Sequence, residues 1–411
     1  MKRLLVLLSL LGTTLAASAA SIVWASDNGV EGTVADAQGT TMGAWYGPVS
    51  TNGTPFVDQG FVDMLTAAGH TVTRFNPTSG TLSTNDIAQI NRFDLIILGA
   101  ALNSGPFNFG GRPINWNVAI TTPMIVTKST LIRRDRMGFL TNNLEYDCAS
   151  DASTTASGKW KLQYPDSPLF KGIVHTNAGG SRVMTNYANI RVAQPPNNRS
   201  TSAQFYKLLV NGVEQSVTNA VEPGGTVLAT IEFNPLDPGV NIPTGQAPAV
   251  DGNYLVTGFA AVEWPAGTAV RSTQTTATPP NLNGPEPLAG YRLFIGCGTR
   301  DASGTATGAP NPLVGAMDLS VDGQKIFMNG VDLALRPPFK IVSVTRPGSD
   351  VTLTWNARYA RFYSIWAGTN VLSTTNWTRV SGPTGASGDG VKAVTLTGQA
   401  ASYQFYQVRW E

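Results

Sequence analysis

Residues 93–99 read Phe-Asp-Leu-Ile-Ile-Leu-Gly, and the apolar stretch inside them constrains the fold more than any other feature. A strand whose side chains are apolar on both sides has to be covered on both faces, which places it inside a sheet flanked by two layers. Its neighbours in the chain fit the same plan. Residues 21–25 (Ser-Ile-Val-Trp-Ala) meet the polar turn Ser26-Asp27-Asn28-Gly29, predicting a buried first strand that ends in a loop. Gly29, Gly32, Gly39, Gly43 and Gly47 make the following connection long and loose. Phe61, Val62, Leu65 and Ala68 recur at helical spacing over residues 58–68, with Gly69 as a C-terminal stop. Residues 71–75 resume as a strand, Ser83 or Thr84 caps a short helix through Ile90, residues 123–127 form another strand and residues 131–140 another helix. Such alternation predicts an α/β domain built on a mostly parallel sheet with helices on both faces.

From residue 159 to about 230 the pattern changes to short strands, such as 182–185 and 226–231, that read as β-rich insertions between polar turns. Residues 254–263 and 291–297 are two further strands, joined by a Pro-, Thr- and Asn-rich loop over 273–287. Residues 319–335 form a closing helix with Ile326, Phe327, Val331 and Leu335 on its apolar face. Arg336-Pro337-Pro338 ends it, because proline neither extends a helix nor leaves its predecessor free to do so. The domain boundary is placed there, dividing the chain into residues 21–336 and a strand-rich unit, 339–411. In that unit Val351-Thr352-Leu353-Thr354-Trp355 alternates at period two, as do parts of 360–367 and 391–397, which predicts a small all-β sandwich.

Residues 1–20 read as a signal peptide: Lys2 and Arg3, an apolar run from Leu4 to Leu11, then Ala17-Ser18-Ala19-Ala20, with cleavage expected after Ala19 or Ala20. The apolar run is too short to cross a bilayer. The expected protein is therefore secreted or extracytoplasmic, without a transmembrane segment in its mature chain and open to cell-surface association. Charged residues make up 13% of the chain and the formal net charge is +2, with no basic or acidic block, so nucleic acid is not an implied partner. The only cysteines, Cys148 and Cys297, read either as one disulfide in an oxidising compartment or as two separate buried thiols.

Two phrases of the first domain, FVDMLTAAGHTV (61–72) and FDLIILG (93–99), resemble the opening strand-helix-strand units of class I glutamine-amidotransferase-like domains, including the trehalose-utilisation (ThuA-like) branch. SPLFKGI (167–173), VEWPAG (262–267), YRLFIGCG (291–298) and LSVDGQKIFMNGVDLAL (319–335) are similar to that branch too. The resemblance implies a flavodoxin-like sheet with ligands at the carboxyl ends of its strands. Its amidotransferase members use a cysteine on a tight strand-to-helix elbow, backed by histidine and glutamate. Here the strand at 124–127 runs into Lys128-Ser129-Thr130 instead, and the chain holds only two histidines. Residues 339–411 resemble fibronectin type III-like modules through VTLTW, NWTRV and FYQVRW.

The candidate site follows the strands. Ser26, Asp27 and Asn28 succeed the first, Asn103 and Ser104 the third, Lys128 and Ser129 the fourth, and Thr299, Arg300 and Asp301 the strand of Cys297. Asp27 as general base, with Lys128 or Arg300 stabilising an anion, is the catalytic version of this reading; ordinary strand-end turns are the plain one. His70 reads as a packing residue at a helix-strand junction and His175 as a solvated turn residue. Trp45, Trp116 or Trp377, if exposed, would stack on sugar faces. No His-Glu-x-x-His, Cys-x-x-Cys, GxxxxGK[ST] or GxGxxG pattern occurs, so no metal or cofactor is implied. The expectation is a binder of a small polar ligand or carbohydrate, with a ThuA-like hydrolase or sugar-modifying enzyme, or a surface structural protein, as alternatives.

Overall fold

The computed structural model of this 411-residue chain describes residues 19–26, 44–46, 56–77, 82–108, 115–141, 143, 145–148, 159–189, 201–211, 213–215, 225–233, 254–274, 281–282, 285–299, 314–335, 341–357, 362–368, 377–385, 390–398 and 405–410. The expected leader, through residue 18, lies outside them. The first elements are β1 (Ser21–Ala25), β2 (Ala44–Tyr46), α1 (Gln59–Ala67), β3 (Thr71–Asn76), α2 (Thr84–Ile90), β4 (Leu95–Leu98) and β5 (Met124–Val126). Strands β6 (Glu145–Cys148), β7 (Trp160–Leu162), β8 (His175–Ala178), β9 (Ser181–Met184), β10 (Thr201–Val210), β11 (Val213–Gln215), β12 (Thr226–Phe233) and β13 (Tyr254–Trp264) come next. Two-residue strands β14 (Ala269–Val270), β15 (Thr273–Gln274), β16 (Asn281–Leu282) and β17 (Glu286–Pro287) form two small pairs, so part of the 273–287 loop is structured. β18 (Arg292–Ile295) and α3 (Val321–Leu335) complete this part.

Fourteen strands make one mixed sheet in the order β2-β3-β1-β4-β5-β18-β13-β12-β7-β9-β8, with β10 also beside β13 and carrying β11 and β6. The run β3-β1-β4-β5-β18 is parallel. β2 and every pairing beyond β18 are antiparallel. The sheet is therefore mixed and not mostly parallel, because the strands of the β-rich insertions extend the same sheet.

Pleating sends Ile22, Trp24, Leu95, Ile97, Ile125, Leu293 and Ile295 to one face, under Phe61, Val62 and Leu65 of α1 and Ile326, Phe327 and Val331 of α3. Val23, Ala25, Ile96, Leu98, Met124, Val126 and Phe294 go to the other, under Ile90 of α2 and Leu102, Trp116, Leu131 and Ile132. Each Val, Leu, Ile, Phe or Met among them contributes about 1.5–3 kcal/mol on full burial. That burial holds α2, seven residues long, which no isolated helix of that length could maintain. Ser83 and Asp86 form a reciprocal capping box at its start.

Helices on both faces were expected, but the second face is covered mainly by short turns. Residues 131–140 do not form a helix: a 3₁₀ turn over Ser129–Ile132 stops at Arg133, which adopts extended backbone (ψ 156°). Arg133 then donates two hydrogen bonds to Asp135, at 2.9 and 2.8 Å. Side chains two apart do not face one another on a helix, so this pair favours the turn.

The last strands are β19 (Ile341–Thr345), β20 (Val351–Ala357), β21 (Phe362–Gly368), β22 (Trp377–Gly385), β23 (Gly390–Leu396) and β24 (Phe405–Trp410). They pair into two three-stranded sheets, β19-β20-β23 and β22-β21-β24. Val351, Leu353, Trp355 and Leu396 of one sheet share a core with Tyr363, Ile365 and Val408 of the other.

Candidate functional site

The described candidate residues at the carboxyl ends of the parallel strands are engaged by the protein itself. Ser26 is fully buried and its N–H donates to the Phe75 carbonyl. Asn103 folds back, its Oδ1 accepting the Gly105 N–H at 2.8 Å, a local turn around Ser104. Lys128 is buried, and its Nζ donates to the Leu102 carbonyl at 2.9 Å. Ser129 is buried at the start of the 3₁₀ turn, and Thr299 is buried with its N–H and hydroxyl donating to the Ala316 carbonyl. Asp27, Asn28, Arg300 and Asp301 lie outside the described residues.

The end of β18 brings together a group that strand-end reasoning missed. Asp318 is buried, its Oδ1 accepting the Gly298 N–H at 2.7 Å and its Oδ2 the Asn189 amide at 3.1 Å. Burial raises its pKa to about 8 against the lowering effect of those donors, so it is largely neutral at physiological pH. Cys297 is a free, buried thiol, not half of a bridge to Cys148, whose side chain lies outside the described set. Burial first, then the neighbouring Asp318, push the thiol well above its ordinary pKa. The thiolate needed for nucleophilic attack is therefore disfavoured. Only the side-chain chemistry of Asp318 and Asn189 hints at this role in sequence, and buried polar residues carry no periodic signal.

Neither histidine approaches that strand end. His70 is buried just before β3, at the opposite, amino edge of the parallel strands, where its Nδ1 accepts the Ala20 N–H at 3.2 Å. His175 lies in the edge strand β8 and not in a turn, five strands from β18 in the sheet order. Trp116 is fully buried against Phe107 and offers no sugar face. Trp45 lies in β2 with its side chain outside the described set, and Trp377 is half-buried.

The start of β18 is equally closed. Arg292 is fully buried, its two Nη atoms donating to the carbonyls of Thr122, Tyr291, Trp116, Asn117 and Ile120 at 2.7–3.4 Å. Nearby Glu286 accepts from Asn117 and Ser272. Burial lowers the guanidinium pKa to about 9, which leaves it charged at neutral pH.

An open cleft of about 350 Å³ lies elsewhere, where β7 leaves the sheet beside the start of β12. Gln163, Tyr164, Gly225, Thr226 and Val227 line it, none of them a sequence-predicted site residue. Gln163 is fixed by its backbone N–H to Leu228 and by its amide to Thr230 Oγ1 at 3.1 Å, while Tyr164 rests on the core. Among the described residues no three His, Cys, Asp or Glu side chains gather as a metal site requires, and no helix is long and apolar enough to cross a membrane. No protein-family model, curated protein or solved structure matches the chain.

Proposed function

We propose that this is an exported, non-catalytic binding protein whose amidotransferase-like domain holds a small polar ligand, such as a carbohydrate, without hydrolysing glutamine. Counted in chain order, the parallel strands lie 2-1-3-4-5, the arrangement of flavodoxin-like sheets, and this supports the fold-level part. The observation that carries the functional part is Cys297. A catalytic thiol needs a base and a lowered pKa; this one is buried beside a neutralised carboxyl, with both histidines elsewhere in the sheet.

The Gln163–Tyr164 cleft is the site this reading assigns to the ligand. Its volume matches the lower end of small-molecule sites, about 300–1,000 Å³. An aromatic ring beside an amide and a hydroxyl suits a sugar, which offers an apolar ring face and a rim of hydroxyls. The export reading rests on the leader sequence through Ala20. Ala20 donates to His70 and accepts from Thr71, so a cut after Ala19 keeps two bonds that a cut after Ala20 removes.

Titration calorimetry of the full chain with mono- and disaccharides tests the reading. Binding of a sugar, weakened about tenfold or more by Tyr164→Ala, is expected. Ammonia release from glutamine, or no heat with any sugar, would sink it.

A further inference from the structure

The outer face of the β22-β21-β24 sheet carries an aromatic group unrelated to the cleft. Tyr363 and Ile365 of β21 point into the sandwich core, so alternation turns Ser364, Trp366 and Gly368 to the opposite face, where Ser364 and Gly368 are covered and Trp366 is half-buried. Cross-strand partners share a face, and the register puts Trp377 and Phe405 on either side of Gly368 and Arg379 beside Trp366. Phe405 is 43% exposed, Arg379 is exposed, and Trp366 and Trp377 are half-buried. Scattered surface aromatics are ordinary; three gathered on one sheet face are not.

Their arrangement is specific. Gly368 has no side chain and is buried, so at that level β21 offers no side chain to the face and Trp377 and Phe405 flank it. These two positions are two strand spacings apart, about 10 Å, or roughly the length of two linked pyranose rings. Trp366 sits on the central strand between them, two residues along, its Nε1 donating to Ser364 Oγ at 2.8 Å. The charge is one-sided as well. β21, β22 and β24 contain no acidic residue, and Arg379 is exposed among the aromatic positions. Aromatic positions with a cation at their side complement apolar ring faces that alternate with carboxylates.

We infer that this face binds a linear acidic polysaccharide, with pyranose rings stacked on Trp377 and Phe405 and a uronate carboxylate held by Arg379. The site is distinct from the Gln163–Tyr164 cleft in place and in ligand, since it takes an extended polymer and needs no pocket.

Affinity electrophoresis of the full chain through gels containing polygalacturonate, or neutral hydroxyethylcellulose, tests it. Polygalacturonate is expected to retard the protein, the neutral polymer to do so several-fold less. Trp377→Ala and Phe405→Ala should each weaken the retardation at least about fivefold, while Trp377→Phe, which keeps a ring, retains most of it. Arg379→Gln should weaken it and reduce its sensitivity to salt. Tyr164→Ala should leave it unchanged, which separates this result from the cleft's. Melting curves that superimpose on the parent's show that the variants are folded. Absence of retardation by polygalacturonate, retention of it in folded Trp377→Ala and Phe405→Ala proteins, or equal retardation by the neutral polymer would overturn the inference.

Discussion

Arg292 at the start of β18 and Asp318 beyond its end are both fully buried, yet one keeps its charge and the other gives it up. A guanidinium does not shed its proton in a protein, so the fold surrounds it with acceptors. Three of them, the carbonyls of Trp116, Asn117 and Ile120, come from the short π-helical turn Asn115–Ala119 and the residue after it, where carbonyls left without helical partners carry partial negative charge. A carboxyl has another way out. Taking a proton removes the desolvation cost, so two donors, from Gly298 and Asn189, are enough for Asp318. Burial at the two ends of this strand is thus met differently, by backbone carbonyls around the Arg292 Nη atoms and by proton uptake at Asp318. Among the described residues, neither Arg292 nor Asp318 is a charged side chain poised for general acid-base or nucleophilic work.

Removing the charge that cannot be neutralised should cost most. Arg292→Met strands several buried carbonyls and is expected to lower stability by about 3–5 kcal/mol, the range for breaking a buried charged network. Urea denaturation measures it, and a loss under about 1 kcal/mol would mean that those carbonyls find other donors. Arg292→Lys should fail to restore stability, because one ammonium cannot reach what a planar fork does. At the other end the backbone itself is the tight part. Gly315 has φ +83°, and a Cβ there would sit 2.6 Å from Ala101 Cβ and 2.7 Å from its nitrogen. Gly298, at φ +88°, would meet Ala100 Cβ at 2.4 Å. Gly315→Ala should cost about 1–3 kcal/mol, and with Gly298→Ala the effects should not add, since the two glycines are neighbours. Strict additivity would argue that the segment before Asp318 yields independently of the strand ends.

The same contrast explains what could be read from the sequence. β1, β3, β4, β5, α1 and α3 were legible because they announce themselves by periodicity, and residues such as Ile96, Ile97, Phe61 and Phe327 are buried on the faces that pattern assigns. The merging of the insertions into one mixed sheet was not, because pairing partners such as β13 and β18 are set by long-range register and not by local pattern. The helix expected over residues 131–140 failed for a local reason, the Arg133–Asp135 pair. At the site, Ser26, Lys128, Ser129 and Thr299 were placed correctly at strand ends. That they are buried and bonded inward depends on neighbours such as Leu102 and Ala316, which no single-sequence pattern reveals. Gln163 and Tyr164 form a cleft only because β12 lies beside β7.

The last expected effect is the most specific to Asp318, and it has a sign. The unfolded carboxyl loses its proton near pH 4, whereas the folded one keeps it to about pH 8. Between those values the native state binds more protons than the unfolded state, so this group's contribution is full below pH 4 and falls as pH rises. The slope from one proton cannot exceed about 1.4 kcal/mol per pH unit. Asp318→Asn removes the titration while keeping an acceptor for the Gly298 N–H, and its Nδ2 can donate to Asn189 Oδ1, which has no partner among the described residues. Urea unfolding of both proteins at pH 5 and pH 8 should therefore show the variant gaining on the parent as pH rises. The shift should be larger than any produced by Asp94, an exposed carboxyl whose pKa is instead lowered by the Ser21 backbone N–H and hydroxyl. Parallel stability curves for the two proteins would show that Asp318 is ionised in the fold. The strand's two ends would then bury their charges in the same way.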